Sequence, residues 1–103
     1  MSQTAEGSFH HDDWFQNVYG DFRYNHVVGF LDGQLYTQVP RFDISQATYK
    51  FDNHLDLAGD FEGYVGPFSF HITSKGRPNV TISGPLDLPL NYQFEISGRT
   101  WFR

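Results

Sequence analysis

The most constraining feature of this chain is a strict two-residue alternation close to its carboxyl end. Tyr92, Phe94, Ile96, Gly98, Thr100 and Phe102 occupy alternate positions, with Gln93, Glu95, Ser97, Arg99 and Trp101 between them. A period of two is the signature of a β-strand that buries one face. Residues 22–31, 55–63 and 68–72 show the same period. The alternation therefore predicts a chain built mainly of strands.

The composition argues against a helical bundle. The chain has three Ala, three Glu and two Lys, all good helix formers, against ten Gly and five Pro. Turn signals built on Gly, Pro, Asp and Asn, among them Ser74-Lys75-Gly76-Arg77-Pro78, recur about every 8–14 residues, close to the spacing of small sandwiches and barrels. The sequence therefore predicts seven or eight short antiparallel strands.

We predict an all-β fold, either a small antiparallel β-barrel or a β-sandwich. The barrel is favoured because closure removes exposed sheet edges without disulfides, and the chain has no Cys. Eleven Phe, six Tyr and two Trp predict a core built largely of rings. The general pattern resembles small barrels of the calycin kind, an architecture that binders and enzymes share.

Residues 1–13 are mostly small and polar, and they predict a flexible amino-terminal tail. Residues 14–103 are then expected to form a single all-β domain, as the length suits one core. Residues 12–20 fit either a strand or one short N-terminal helix. Asp13 is suited to cap such a helix and Gly20 to end it.

Two hairpins follow from turn chemistry. Asp32-Gly33 is a strong signal for a type I′ turn, and a two-residue loop there sets Phe30 opposite Leu35 on the inner face. The next strand, residues 42–51, is expected to be interrupted near Ser45-Gln46. A three-residue loop over residues 52–54 would then pair Phe51 with Leu55.

Charge and motifs exclude several classes of function. The net charge is −5 and the seven Lys and Arg residues are dispersed, so we expect no nucleic-acid partner. No stretch is apolar enough for a membrane span or a secretory leader, which predicts a soluble, cytoplasmic protein with no membrane partner. No nucleotide, catalytic-triad or zinc motif is present, and we expect no cofactor.

His26 is the sharpest candidate for chemistry, because the alternation places an ionisable ring within an apolar stripe. The alternative is a core histidine whose ring is hydrogen-bonded by a neighbour. Four further polar side chains are predicted on inner faces, where they would help to bind a small, partly apolar ligand: Tyr24, Thr37, Tyr49 and Tyr92. The opposing expectation is a barrel whose interior is completely filled by side chains.

Tyr36, Tyr64 and Trp101 are predicted on the outer surface, where they would form an interaction surface for a partner or for a second copy of the chain. The run His10-His11-Asp12-Asp13 has ligand-type residues, but adjacent positions on a tail preorganise no metal site. We therefore predict no metal centre.

Three functions remain open at this point. The first is a non-catalytic binding or protein-interaction module, with a small organic ligand, a protein or a homo-oligomer as partner. The second is a small barrel enzyme of the isomerase or cyclase type that holds an organic substrate in an aromatic cavity, with His26 as acid and base. The third is a carbohydrate-binding domain that uses the outer rings.

Overall fold

Eight antiparallel strands close into a barrel in the computed structural model of the chain, which describes residues 2–12 and 16–103. The strands are β1 (Gln3–His11), β2 (Asn17–Tyr24), β3 (Val27–Leu35), β4 (Asp43–Phe51), β5 (Gly59–Val65), β6 (Ser69–Ser74), β7 (Arg77–Pro85) and β8 (Phe94–Phe102). A short 3₁₀ helix, His54–Leu57, links β4 to β5. The predicted all-β class and closed antiparallel barrel are confirmed.

The strand order around the barrel is β1-β2-β3-β8-β5-β6-β7-β4, with β4 next to β1. The first four strands thus lie in the order β4-β1-β2-β3 and the last four in the order β8-β5-β6-β7, each of which is a Greek key. The pairs β3–β8 and β4–β7 join the two units. This order differs from the sequential order of up-and-down barrels, and among the eight described strands it leaves no edge unpaired.

The alternation in sequence becomes the inside and outside of the barrel. In β8, Ile96, Gly98 and Thr100 are buried, whereas Glu95 and Arg99 are exposed, as the period of two predicts. The core is rich in rings, and its largest fully buried side chains are Tyr49, Phe9, Phe51, Phe70, Leu31, Leu35, Ile44, Val18 and Val65.

Two glycines allow neighbouring strands to approach closely in equivalent places of the two Greek keys. A Cβ on Gly7 would lie 1.8 Å from the carbonyl oxygen of Asp21, and one on Gly63 would lie 1.9 Å from that of His71. Both glycines are in the first strand of their unit and pair with the second strand. No larger residue fits at either position without moving the backbone.

The amino-terminal segment differs from the flexible tail predicted over residues 1–13. Gln3–His11 form β1, which hydrogen-bonds to β2 on one side and to β4 on the other. Ala5 and Phe9 point into the core and are buried. The segment has a polar composition because its outer face is solvated, while its sparse apolar residues complete the interior. Residues 1 and 13–15 lie outside the described residues, and with them most of the undecided segment 12–20, of which Asn17–Gly20 belong to β2.

The hairpin predicted at Asp32-Gly33 is wrong, because β3 runs straight through those residues. The chain turns instead at Asn25-His26, where both residues have positive φ (49° and 66°) and Tyr24 pairs with Val27, as in a type I′ turn. Gly33 serves packing: a Cβ there would lie 2.6 Å from the carbonyl oxygen of Arg99. Because of this turn, the residues that face the interior have even numbers in β2 and odd numbers in β3.

The three-residue hairpin predicted after β4 is also wrong. The interruption near Ser45-Gln46 is present as a register shift against β1, but β4 pairs with β1 and β7 and makes no ladder with β5. Residues 52–58 instead cross one end of the barrel, and Leu57 packs into the core from the 3₁₀ helix. The later hairpin at Lys75-Gly76 lies where the turn signals predicted it.

The two ends of the barrel are covered differently. At one end, the connections 36–42 and 86–93 pack Val39, Leu86 and Leu90 against the core. Asp87 anchors the second connection because its carboxylate accepts hydrogen bonds from the Ser45 amide (2.9 Å) and hydroxyl, which hold the pKa of Asp87 below its usual range. The other end carries the two tight hairpins and the 3₁₀ helix, and it holds the candidate site.

Candidate functional site: the apolar mouth of the barrel

An apolar depression of about 510 Å³ opens at the hairpin end, between the β2–β3 hairpin and the 3₁₀ helix. We call it the mouth. Its principal lining residues are Phe22, Tyr24, Val27, Leu55 and Phe102, with Asn25, Phe30, His54 and Arg103 at the rim. Mouths of β-barrels are common ligand sites, and the volume lies within the range of about 300–1,000 Å³ found for small-molecule pockets.

The 3₁₀ helix covers only half of this end of the barrel. The Asn53 side chain accepts the Leu55 amide hydrogen (3.0 Å) and so begins the helix, while the Thr100 hydroxyl donates to the Leu57 carbonyl (2.7 Å) and fixes its end. Leu57 fills the β5–β8 half, where a space of only about 10 Å³ remains. Leu55 points to the other half and is 59% exposed. The mouth is the half that the helix leaves uncovered.

Phe22 forms a firm floor. A Cβ on Gly29 would lie 2.3 Å from the Phe22 ring, so the glycine lets β3 pass directly beside it. The ring lies tilted against Tyr49 (5.0 Å between centroids, 33° between planes) and edge-on to Phe51 (6.3 Å). Because these partners are fully buried, the floor belongs to the packed core and is preformed.

Rings also form the walls. Tyr24 packs edge-on against Phe51, at 5.1 Å and 80°, and its ring centre lies 6.1 Å from that of the His54 imidazole. His54 in turn lies 6.2 Å from Phe102. Val27 occupies an inner-face position at the end of its strand, yet it is 64% exposed because no element covers it. The mouth therefore presents apolar surface on at least three sides.

The polar groups of the mouth are few and lie at its rim. Arg103 donates two hydrogen bonds to the Asp32 carboxylate (3.1 and 2.7 Å), and its guanidinium lies 5.4 Å from the centre of the Phe30 ring. The hydrogen bonds from Arg103 hold the pKa of Asp32 below its usual range. Asn25 and His54 add an amide and an imidazole. This arrangement suits a ligand with an apolar body and one polar end.

The structure disperses the five residues predicted to bind a ligand. Tyr24 lines the mouth, and Tyr49 lies in the core below it. The prediction of inner-face positions is wrong for the other three: His26 is exposed at the hairpin tip, Thr37 lies in an exposed bend, and Tyr92 is 70% exposed on the 86–93 connection. The exposed tip position of His26 gives no support to an acid–base role inside the barrel.

Tyr49 has a structural environment. Its hydroxyl donates to the Ser8 carbonyl (2.6 Å) in the barrel wall, and burial together with the nearby Asp21 charge raises its pKa well above the ordinary value. A hydroxyl that is fully buried and already donating is not presented to a ligand.

The three residues predicted as an interaction surface lie on the outside of the barrel, Tyr36 directly after β3, Tyr64 on β5 and Trp101 on β8. Tyr36 donates to Asp60 (3.1 Å), and Tyr64 stacks on His71 at 6.0 Å. Trp101 is on β8 with the Arg99 guanidinium 5.7 Å from its ring centre. No group of metal-ligating side chains occurs within the described part of the chain.

Sequence reasoning missed Val27, His54, Leu55 and Phe102 as mouth residues. Their types are those of ordinary strand and core residues, and only their position at an uncovered barrel end distinguishes them. One signal was available: Asn25-His26 is a two-residue turn candidate, since Asn tolerates positive φ, and placing the turn there would have put Val27 beside Tyr24.

No protein-family model, curated protein or solved structure matches this chain. Within the described residues, no helix is long and apolar enough to cross a membrane.

Proposed function

We propose that this protein is a non-catalytic binding module, and that its mouth holds the apolar part of a small organic molecule. The observation that carries the proposal is the exposure of Val27 and Leu55 over a preformed ring floor at an otherwise packed barrel. Large apolar side chains grouped around one concavity are unusual on a surface without a function, whereas scattered ones are ordinary.

The ligand that fits best is a compact molecule with an aryl or short alkyl body and a single polar group. The rings of Tyr24 and Phe102 and the two exposed aliphatic side chains favour the apolar body. Asn25, His54 and Arg103 offer hydrogen-bond donors at the rim, where the polar group would remain partly hydrated. The proposal assigns no proton transfer, because among the described lining residues we see no acid and base that converge on one point.

A fluorescence titration tests the proposal. The dye 1-anilinonaphthalene-8-sulfonate has an apolar body and an anionic group, and p-cresol is a neutral competitor of the expected ligand class. We expect the dye emission to rise and shift to shorter wavelength on binding, and p-cresol to displace the dye.

Leu55→Asp and Leu88→Asp form a matched pair of variants, because both leucines are exposed but lie at opposite ends of the barrel. Losing one buried leucine contact corresponds to about 1.5–3 kcal/mol, so Leu55→Asp should weaken dye binding by about tenfold or more. Leu88→Asp should bind like the parent protein. Equal effects of the two variants, or no dye binding to the folded parent, would contradict the proposal.

A further inference from the structure

A second groove, of about 450 Å³, lies on the outer wall of the barrel across β2, β3 and β8. Its residues include Asn17, Tyr19, Asp32, Trp101 and Arg103. The mouth opens at the barrel end, whereas this groove crosses the flank, and the two share only Arg103 among their lining residues. We call it the flank groove.

The strand register sets Tyr19, Asp32 and Trp101 in one row. Tyr19 pairs with Asp32 across β2–β3, and Asp32 pairs with Trp101 across β3–β8. Neighbouring strands are about 4.7–4.9 Å apart, so the two rings stand roughly two strand spacings, about 10 Å, from each other. The row therefore places a carboxylate midway between two aromatic side chains.

Both rings are positioned by neighbours and remain accessible. Tyr19 lies 5.3 Å from the His10 ring and is 42% exposed. Trp101 has the Arg99 guanidinium 5.7 Å from its ring centre and is 41% exposed. Side chains that already have one partner lose less conformational freedom when a ligand stacks on them.

The centre of the groove holds an ordered set of hydrogen-bonding groups. The two bonds from Arg103 hold the Asp32 carboxylate and the guanidinium in a bidentate pair. A carboxylate has about four acceptor sites and a guanidinium five donors, so both retain capacity for a ligand. The charges of Asp32 and Arg103 offset each other and Asp12 adds a second carboxylate to the lining, so the groove favours a neutral ligand over an anionic one.

We infer that the flank groove is a binding site for a neutral oligosaccharide. Sugar rings present C–H faces that stack on aromatic rings and hydroxyl edges that both donate and accept hydrogen bonds, and the groove offers both kinds of partner. The distance between Tyr19 and Trp101 requires a chain of several sugar units to touch both rings. This site is independent of the mouth and of its proposed ligand.

The test is a calorimetric titration with cellohexaose and maltohexaose, after a survey on an array of neutral oligosaccharides. Trp101→Ala and Tyr19→Ala should each lower the affinity for the bound sugar by tenfold or more, since one aromatic stacking partner is lost. Trp101→Phe keeps a ring and should retain most of the affinity. Tyr92→Ala removes an even more exposed ring from another surface and should not change sugar binding.

Leu55→Asp separates this inference from the function proposed for the mouth, because it should weaken dye binding and leave sugar binding intact. Circular dichroism of each variant confirms that it folds. The inference is overturned if no neutral oligosaccharide binds the folded protein, if Tyr92→Ala weakens binding as much as Trp101→Ala, or if a polyproline peptide occupies the groove where sugars do not.

Discussion

Ser8 is the point where the ladder between β1 and β4 is interrupted, and side chains satisfy its polar groups. Gly7 pairs with Ala47 and Phe9 with Ile44, so two residues of β4 lie opposite Ser8. The Asp21 carboxylate accepts hydrogen bonds from the Ser8 amide (3.1 Å) and hydroxyl (3.0 Å), and the Tyr49 hydroxyl donates to the Ser8 carbonyl (2.6 Å). We expect Tyr49→Phe to lower the free energy of unfolding, because it removes the donor to the Ser8 carbonyl.

The magnitude follows from the burial of Tyr49. The net contribution of one hydrogen bond to the free energy of unfolding is about 0.5–1.5 kcal/mol, and leaving a buried carbonyl without a donor costs about 1–3 kcal/mol. Tyr49 is fully buried, so water does not replace the lost hydroxyl without repacking. The free energy of unfolding should fall by about 1–2 kcal/mol, which corresponds to a melting temperature about 5–10 °C lower for a domain of this size.

Gly20 provides a second test of the same geometry. A Cβ at this position would lie 2.2 Å from the Tyr49 hydroxyl and 2.7 Å from the Ser8 carbonyl oxygen. Gly20→Ala should therefore destabilise the protein by about 1–3 kcal/mol through overpacking. The cost should be smaller in the Tyr49→Phe background, by about 0.5 kcal/mol or more, because the first collision is removed and the second remains.

Urea denaturation followed by circular dichroism measures all four members of this cycle. Tyr92→Phe is the control, since its ring is largely exposed and an isolated surface change stays within about 0.5 kcal/mol. An unchanged midpoint for Tyr49→Phe would refute the reasoning. So would an identical cost of Gly20→Ala in both backgrounds.

Two further predictions concern alkaline pH and the first hairpin. Because the pKa of Tyr49 is raised in the fold, the unfolded chain releases the hydroxyl proton near pH 10 while the folded chain keeps it. The contribution of this proton to the free energy of unfolding is therefore fully present below about pH 10. Above that pH the free energy of unfolding falls by up to about 1.4 kcal/mol per pH unit. Urea midpoints at about pH 9 and pH 11 should show the advantage of the parent over Tyr49→Phe shrinking; a constant difference would argue against a proton held by the fold. His26→Gly should raise the free energy of unfolding by about 0.5–1 kcal/mol. A left-handed conformation costs most residues about 1–2 kcal/mol and costs glycine nothing, but glycine loses more conformational entropy on folding, which offsets part of the gain. A lower melting temperature for this variant would mean that the chain does not turn at residues 25–26.

The candidate sites were only partly visible in the sequence. Trp101 was predicted on the outer surface and Tyr24 on an inner face, and both positions agree with the structure. Tyr19 and Leu55 were not singled out. Each becomes notable only through its neighbours, Tyr19 through the register with Asp32 and Leu55 through the half-covered barrel end.

The sequence by itself determined the strand character of the chain and several elements. The period of two in residues 94–102 arises because one face of the strand is buried, so the position of β8 and its inner residues could be predicted from it. The Lys75-Gly76 turn followed in the same way, because Gly76 takes a positive φ that the local chemistry favours. These features depend on residues that are neighbours in the chain.

Tertiary structure alone decided where the first hairpin turns and which strands pair. Asn25-His26 and Asp32-Gly33 are both acceptable turns locally, and the choice is made by packing, which needs Gly33 inside a strand beside the Arg99 carbonyl. Likewise, the polar segment 3–11 is a strand because β2 and β4 satisfy its backbone from either side. The physical reason is that strand pairing joins residues that are distant in the chain. Which strand pairs with which is decided by how all eight strands together fill the interior of the barrel.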